Sequence, residues 1–320
     1  MTCLAIHGGA GALPRKDMTA ARAAEFHAAL HEALLTGHGV LAAGGASIDA
    51  VEAAVTWLED CPLFNAGRGS AFTREGHVEM EASIMDGATH QVGAATLLRS
   101  VRNPVQLARR VMRHTPHVTL AGEAAEAFAA AQGLPLEQPE YFFTPFRWDA
   151  MLRLRGSDRT VLSEDVVVAV NPGSPEATGT VGAVALDAGG NLAASTSSGG
   201  TTNKYAGRVG QACTPGAGVY ANNATCAVSC TGQGEAFMRA VTAYDVSALM
   251  EHRGLDLAAA TETAIHRRLP GKGGLIAVDT HGNLALPFNT EGMYRGGIDA
   301  SGRVFTAIYD TTQEWPALSR

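Results

Sequence analysis

The sequence predicts an α+β fold in which helices pack on both faces of antiparallel sheets, within one compact domain. Three observations predict it. Strands and helices come first, then a turn-rich connector, then hairpins that enclose two helices, an order unlike a regular βαβ succession. Three stretches, VALDAGGNLAAS, IAVDTHGNLALP and IDASGRVFTA, share a strand–Asp–turn–Gly–strand form and read as β-hairpins with short glycine turns. Composition agrees, with 37 glycines among 320 residues, 46% apolar and 17% charged residues. An average protein carries about 7% glycine and about 25% charge, so this chain depends on tight turns and close backbone approach. At roughly 150 residues per domain the length also admits two domains, although large α/β sandwiches exceed that figure.

The elements follow in order. LAIHGGAG reads as an opening strand and a glycine loop. A helix from about Thr19 to Thr36 puts Phe26, Leu30, Ala33 and Leu34 on one stripe. A second begins near Ser47, read as its N-cap, with Ile48, Val51, Val55 and Leu58 at helical spacing, and CPLFNAGRGS breaks it. HVEMEASIMDG alternates Val78, Met80, Ala82 and Ile84 as a half-buried strand, with VGAATLL as its antiparallel neighbour. Asn103-Pro104 has the form of a helix start, and GEAAEAFAAAQG stops at Gly133. From Gly156 to Gly179 the pattern dissolves into an exposed connector, for which the apolar run Val166 to Val170 is unusual. Between the first two hairpins lie two helices, GEAFMRAVTAYDVSALMEH and LAAATETAIHRRL.

A net charge of −7 argues against a nucleic-acid partner bound through a basic face. No apolar run approaches the ~20 residues that span a bilayer. MTCLAI lacks the features of a signal peptide, so a cytoplasmic protein is expected. Five cysteines, Cys3, Cys61, Cys213, Cys226 and Cys230, read as buried, inert thiols. Cys226 and Cys230 would lie roughly 13 Å apart on a strand, too far for a shared zinc ion or a disulfide. His27 and His31 form a helical pair on a solvated face. GAGVYA matches a dinucleotide-binding form, but it follows Pro215 rather than a strand and leads into no helix. HGGAG is like an esterase oxyanion loop, yet no G-x-S-x-G elbow supplies a nucleophile.

What remains is Gly179-Thr180, where the connector meets a small-residue strand. One reading is ordinary: threonine suits a strand and glycine ends a loop. The other is that the chain cuts itself there. A freed Thr180 α-amine, with a reference pKa of about 7.7–8.0, could act as the base for its own hydroxyl. The branched Cβ helps aim that hydroxyl, and Gly179 permits a strained scissile carbonyl.

GTVGAVALD, TSSGGTTNK, GRVG, VSCTGQGE, HGGAG and FNAGRGSAF with EMEASIMDG together resemble the plant-type L-asparaginase/isoaspartyl peptidase family of N-terminal-nucleophile hydrolases, related to glycosylasparaginase. The resemblance runs from His7 to FNTEGMYRGG. It implies a four-layer αββα sandwich, self-cleaved into subunits 1–179 and 180–320 that pair as an (αβ)₂ heterotetramer. It implies that Thr180 is the nucleophile, with Ser198 where the family usually has a second threonine. Thr231 and Gly232 would form the oxyanion hole at a helix start, and Thr231 could also serve as a plain N-cap. Arg208 would take a substrate α-carboxylate, within a binding set that includes Val209, Gly210, Gln211, Gln233 and Gly234. Asn65, Gly8 and Gly9 would support the nucleophile. Backbone carbonyls of Leu58, Glu59, Cys61, Phe64, Ala66 and Arg68 would hold a structural sodium ion, and catalysis would need no cofactor. One departure matters: Gln211 stands where the family has the aspartate that pairs with the α-ammonium.

The expected activity is hydrolysis of L-asparagine and of β-aspartyl dipeptides. A glycosylasparaginase-like amidase is the nearest rival. A poorly maturing binding or regulatory relative is the rival from another class, supported only by Gln211.

Overall fold

The structure, a computed structural model, describes residues 1–11, 13–156 and 179–318. Ahead of residue 157 come β1 (Cys3–Gly11), α1 (Ala20–Ala42), α2 (Ser47–Asp60), β2 (Met80–Asp86), β3 (Val92–Leu98), α3 (Pro104–His114), β4 (Thr119–Ala121), α4 (Gly122–Ala131) and α5 (Pro145–Leu154). After residue 178 come β5 (Val181–Leu186), β6 (Leu192–Ser198), β7 (Val219–Ala221), β8 (Cys226–Gly232), α6 (Gly234–Ala240), α7 (Thr242–Arg253) and α8 (Leu257–Glu262). The chain continues through β9 (Gly273–Asp279), β10 (Leu284–Ala285), β11 (Gly292–Ile298), β12 (Val304–Ala307) and β13 (Thr312–Trp315). The stretch Val166 to Val170 lies outside the described residues.

Among the described residues, nine strands form one sheet in the order β13-β12-β11-β1-β5-β6-β2-β3-β4, and four form another, β10-β9-β8-β7. Strand β1, from the first part of the chain, is inserted between β5 and β11 from the second. Strand β2 pairs with β6 in turn, so the two parts interleave within one sheet.

Side-chain alternation along β5 and β6 explains how the layers meet. Val181, Ala183, Ala185 and Ala193 point into a cluster with Phe26, Leu30 and Leu34 of α1 and Val51, Ala54 and Val55 of α2. Their neighbours Val184, Leu186, Leu192 and Ala194 point into a second cluster with Val219, Ala227, Ile276 and Val278 of the smaller sheet. That sheet sends Val228, Cys230, Leu275 and Ala277 against Phe237, Val246 and Ile265 in a third. Each fully buried large aliphatic or aromatic side chain contributes about 1.5–3 kcal/mol relative to exposure.

The three hairpins form as expected, by one local device. Asp187, Asp279 and Asp299 each accept, through Oδ1, the backbone N–H groups two and four residues on. Gly190, Gly282 and Gly302 then take positive φ values of 82°, 78° and 87°.

Several expectations are corrected. The glycines after His7 stay within β1, which absorbs them through a register shift between His7 and Gly9. Helix α1 runs on to Ala42, and a Cβ on Gly37 would meet Ala54 and Leu4 at 2.9 Å, so this glycine lets α1 close on α2. Ala46, not Ser47, occupies the N-cap of α2. Strand β2 is buried on both faces rather than one, because Glu81 and Ser83 face polar groups inside the molecule. Val241, left-handed at φ 51°, splits the first of the late helices into α6 and α7. The α7 amides of Ala243 and Tyr244 bind the carbonyls of Ala217 and Gly216, a tertiary cap that sets the break. The second late helix turns π-helical over Thr263–Arg268.

His27 and His31 face protein rather than solvent. His27 Nδ1 lies 2.8 Å from Thr306 Oγ1, and His31 stacks on Trp315 with centroids 3.9 Å apart. All five cysteines are unpaired, Cys61 being half-buried and the rest buried. Burial pushes the Cys3 and Cys61 thiols up to about 11 and Cys226 to about 12, so these sulfurs are protonated and inert at neutral pH. GAGVYA becomes the short strand β7 and opens no helix. No described helix is long and apolar enough to cross a membrane.

Candidate active site

Thr180 stands immediately before β5 and is 3% exposed. Its hydroxyl donates to Ser198 Oγ at 3.2 Å, at the end of β6. The same oxygen accepts from Gln211 Nε2 at 2.9 Å. Gln211, itself buried, opens a one-turn 3₁₀ helix that ends at Cys213. One hydroxyl and one amide therefore converge on the Thr180 hydroxyl oxygen, away from solvent.

The carbonyl of Thr180 is fixed from the opposite direction. His7 Nδ1 donates to it at 2.8 Å. Burial drives the His7 pKa down to about 3, outweighing the opposing pull of that hydrogen bond, so the ring is neutral at ordinary pH. Nε2 is then an acceptor, and Ser229 Oγ donates to it at 2.8 Å. Thr196 Oγ1 lies 2.8 Å from Ser229 Oγ, extending the chain of hydroxyls. A Cβ on Gly182 would lie 2.0 Å from Ser229 Oγ and 2.6 Å from His7 Nε2, so only glycine fits beneath this bond.

Gly179 packs on the other parts expected at the site. A Cβ on it would meet Thr231 Oγ1 at 2.8 Å and the Ala10 carbonyl at 3.1 Å. Thr231 Oγ1 also accepts from Ala10 N at 3.1 Å. Gly9, at φ 119°, brings the β1 backbone so close that a Cβ there would lie 2.6 Å from Gly179 N. Gly8 makes room for the Phe64 ring, which a Cβ would meet at 2.4 Å. Thr231 and Gly232 end β8, and the N-cap of α6 is Gln233 without a side-chain cap bond, so Thr231 is not an N-cap.

Asn65 does not touch Thr180 in the hydrogen-bond pattern. Its Nδ2 donates to Gly200 O at 2.7 Å, its Oδ1 accepts from Ala71 N at 2.8 Å, and its carbonyl accepts from Gly199 N. It thus clamps the turn that follows Ser198. Beside that turn, Arg208 pairs with Glu235 at 3.0 Å, its side chain 15% exposed. A Cβ on Gly234 would lie 2.4 Å from Gln211 Oε1 and 2.6 Å from Arg208 Nη2, so amide and guanidinium flank one small space. Val209 is half-buried and Gly210 buried next to them.

A buried polar group beyond Gly210 escapes sequence reasoning. Glu81 accepts from Gly210 N at 2.7 Å, and Lys204, 1% exposed, donates to Glu79 O at 2.6 Å and to Gly199 O. Burial pulls the Lys204 pKa down to about 8. Glu79 binds Gly207 N and Arg99, each at 2.7 Å. His7, Ser229 and Thr196 were likewise not singled out. For His7, Glu81 and Ser229 the available signal was a polar residue within a largely apolar strand; Lys204, in a loop, and Thr196, in a polar strand, carry none.

In the loop expected to bind sodium, a Cβ on Gly67 would lie 2.3 Å from the Glu59 carbonyl, and one on Gly69 would lie 2.0 Å from the Phe64 carbonyl. Among the described residues, no group of three or more His, Cys, Asp and Glu could hold a metal ion.

A family model described as Asparaginase matches residues 1–308 of the chain. The isoaspartyl peptidase of Escherichia coli K12 is 50% identical over 313 residues, covering 96% of this chain and 95% of that one. The isoaspartyl peptidase/L-asparaginase of Xenopus laevis is 39% identical over 297 residues, covering 91% and 90%. The protein of the same name in Rattus norvegicus is 38% identical over 291 residues, covering 90% and 83%. Matched along nearly its whole length, the chain belongs to the asparaginase family, a family of hydrolases.

Proposed function

We propose that this protein is a self-maturing amidohydrolase that cleaves the side-chain amide of L-asparagine and the isopeptide bond of β-aspartyl dipeptides. The observation that carries the reading is the placement of Thr180: its hydroxyl lies between Ser198 and Gln211, and the preceding Gly179 packs on Thr231. The names of the relatives support the same substrates.

Maturation begins when Thr180 Oγ attacks the carbonyl carbon of Gly179, and the Gly179–Thr180 C–N bond breaks to leave an ester. The Oγ proton passes to the departing nitrogen, so this step frees the Thr180 α-amine. Water then hydrolyses the ester, which releases the Gly179 carboxylate and restores the Thr180 hydroxyl. That amine then takes the Oγ proton as Oγ attacks the substrate amide carbon. Thr231 Oγ and Gly232 N–H are assigned to the developing oxyanion. The amine returns the proton to the leaving nitrogen, which departs as ammonia or as an amino acid. Water cleaves the acyl-enzyme and releases aspartate.

Ser198 accepts the Thr180 hydroxyl proton in its resting hydrogen bond and so orients Oγ. Arg208 takes the substrate α-carboxylate, which competes with Glu235 for the guanidinium. The neutral His7 fixes the Thr180 carbonyl without exchanging protons in the working pH range.

The subunits of this reading are residues 1–179 and 180–320, paired as (αβ)₂. The three apolar clusters between successive layers support a four-layer αββα sandwich. The carbonyls crowding Gly67 and Gly69 are hard oxygen donors of the kind that suits a sodium ion in the 58–68 loop. Five unpaired cysteines fit a reducing, cytoplasmic setting.

Denaturing electrophoresis and N-terminal sequencing test the proposal. Two fragments are expected, the second beginning at Thr180, with one intact chain and no hydrolysis for Thr180→Ala. An uncut wild-type chain with full amidase activity would overturn it.

A further inference from the structure

We propose that Asn289 is a positioning residue for the reaction, holding the end of β8 at Thr231 and Gly232 in place against the bond to be attacked. The inference rests on the functional reading above, which assigns those two residues to the oxyanion, and names a residue which that reading leaves out.

The end of β8 stands beside the reacting bond before any substrate enters. A Cβ on Gly179 would lie 2.8 Å from Thr231 Oγ1. Gly232, the last residue of β8, has φ 142°, and its partner across the ladder is Gly273 of β9, at φ 154°. A Cβ on Gly232 would lie 2.2 Å from the Lys272 carbonyl, and one on Gly273 would lie 2.2 Å from the Thr231 carbonyl. Only two glycines can cross this closely. The next residue, Gln233, donates its N–H to the Lys272 carbonyl at 2.8 Å. Backbone pressed on backbone leaves no side chain to absorb a shift, so a displacement of Gly273 is passed to Gly232 and its N–H.

Gly273 is fixed from its other edge by Asn289, which is half-buried. The segment before it runs along β9 as a continuation of β10, with Phe288 opposite Gly274 and Leu275 N bonded to the Pro287 carbonyl at 3.0 Å. Asn289 N donates to the Gly273 carbonyl at 2.9 Å, and Asn289 Oδ1 accepts from Gly273 N at 3.1 Å. Both polar backbone groups of Gly273 are thus met by one residue.

The remaining end of the Asn289 amide is anchored elsewhere. Nδ2 donates to the carbonyls of Ile265 at 2.6 Å and Leu269 at 2.7 Å, within and just after the π-helical turn. Carbonyls at a helix end lack partners inside the helix, and here one amide serves two of them. The side chain must accept on one edge and donate twice on the other, which a carboxylate, a hydroxyl or an apolar group of this size cannot do. A strand edge alone would need only the backbone of residue 289. The amide adds a brace from a packed helix, through Gly273, to the N–H of Gly232.

The experiment measures kcat and KM for L-asparagine and for succinamate, which has the same chain without the amine, on fully processed protein. Asn289→Ala removes three side-chain hydrogen bonds and leaves the backbone bond. It should lower kcat about tenfold, less than the loss of an oxyanion donor, because the donors remain but are misplaced. KM should stay within about twofold, and both substrates should lose alike, since the oxyanion is common to them. Added to Thr231→Val, Asn289→Ala should cost less than the two losses multiplied, because part of what it misplaces is already gone. Asn289→Ser, too short to bridge strand and helix, gives the same test if Asn289→Ala does not fold. A lower denaturant midpoint with wild-type kcat would make Asn289 a stabilising residue only and overturn the proposal. So would a loss confined to one substrate, or losses that multiply in full with Thr231→Val. Each of these leaves the functional reading intact. A wild-type enzyme that hydrolyses neither asparagine nor a β-aspartyl dipeptide would sink that reading and this proposal with it.

Discussion

On its carbonyl side Thr180 meets His7, backed by Ser229 and Thr196, all fully buried. On its hydroxyl side it meets Ser198 and Gln211, behind which stand Arg208, Glu81 and Lys204. The first region is closed to solvent, and burial holds its imidazole uncharged at neutral pH. The second is charged and reaches solvent through Arg208. In the proposed mechanism the difference separates two tasks: one side fixes the backbone of Thr180 and the other handles the reaction and the substrate. Substitutions on the first should therefore appear in stability, and substitutions on the second in kinetics.

Short of removing Thr180 itself, the largest kinetic effect is expected from Thr231→Val. It should lower kcat by about 10²–10³ with little change in KM, as loss of one oxyanion donor does. An unchanged kcat in correctly processed protein would remove Thr231 from that role.

His7→Gln breaks the comparison from the other side. The His7 pKa is about 3 in the folded protein against an ordinary 6.5, because burial excludes the charged ring. Between those values the unfolded chain binds a proton that the folded one refuses. Stability from His7 is thus present above 6.5 and lost as pH falls toward about 3, by at most about 1.4 kcal/mol per pH unit. Glu59 works oppositely: burial raises its pKa from 4.5 to about 8, so its contribution is complete at low pH and fades as pH rises through 8. Denaturant midpoints of wild type and His7→Gln should therefore converge as pH falls from 6.5. A constant gap would mean that the folded protein does not keep His7 neutral.

Gln211→Asp should sharpen the contrast by adding a charge on the reactive side. KM for asparagine should fall by about tenfold, with no such gain for succinamate. Because the substitution also removes the N–H that meets Thr180 Oγ1, kcat should change for both substrates alike. An asparagine KM that stays the same or rises would mean that the ammonium does not meet residue 211.

The smallest effect is expected from Ser198→Ala. The bond it removes is 3.2 Å long between two neutral hydroxyls, worth about 0.5–1.5 kcal/mol, so kcat should drop only a few-fold. A loss as deep as that of Thr231→Val would make Ser198 a participant in proton transfer.

The parts of this molecule that could be read from sequence are those whose cause is local. Each of the three hairpins carries its Asp and its Gly within a few residues, and all three form. The hydroxyls around Thr180 came from motifs matched in order along the chain. His7 did not emerge, because its two partners lie 173 and 222 residues away and nothing near HGGAG announces them. The break at Val241 was equally hidden, since carbonyls of a separate loop set it. Glu81 looked like an outward charge on a half-buried strand. Its burial depends on Gly210, 129 residues distant.

If the chain is cut at Gly179–Thr180 as proposed, the interleaving of β1 between β5 and β11 has a thermodynamic consequence. The break would fall just before β5 and within no strand, yet unfolding would become dissociation. Refolding of the mature protein then requires two polypeptides to find each other, so its midpoint must rise with protein concentration. The uncut Thr180→Ala chain, whose halves remain tethered, is free of that dependence as far as folding of the single chain is concerned. Heating and cooling the two forms side by side at several concentrations would reveal a molecule that is assembled once, as one chain, and thereafter survives because its pieces seldom part.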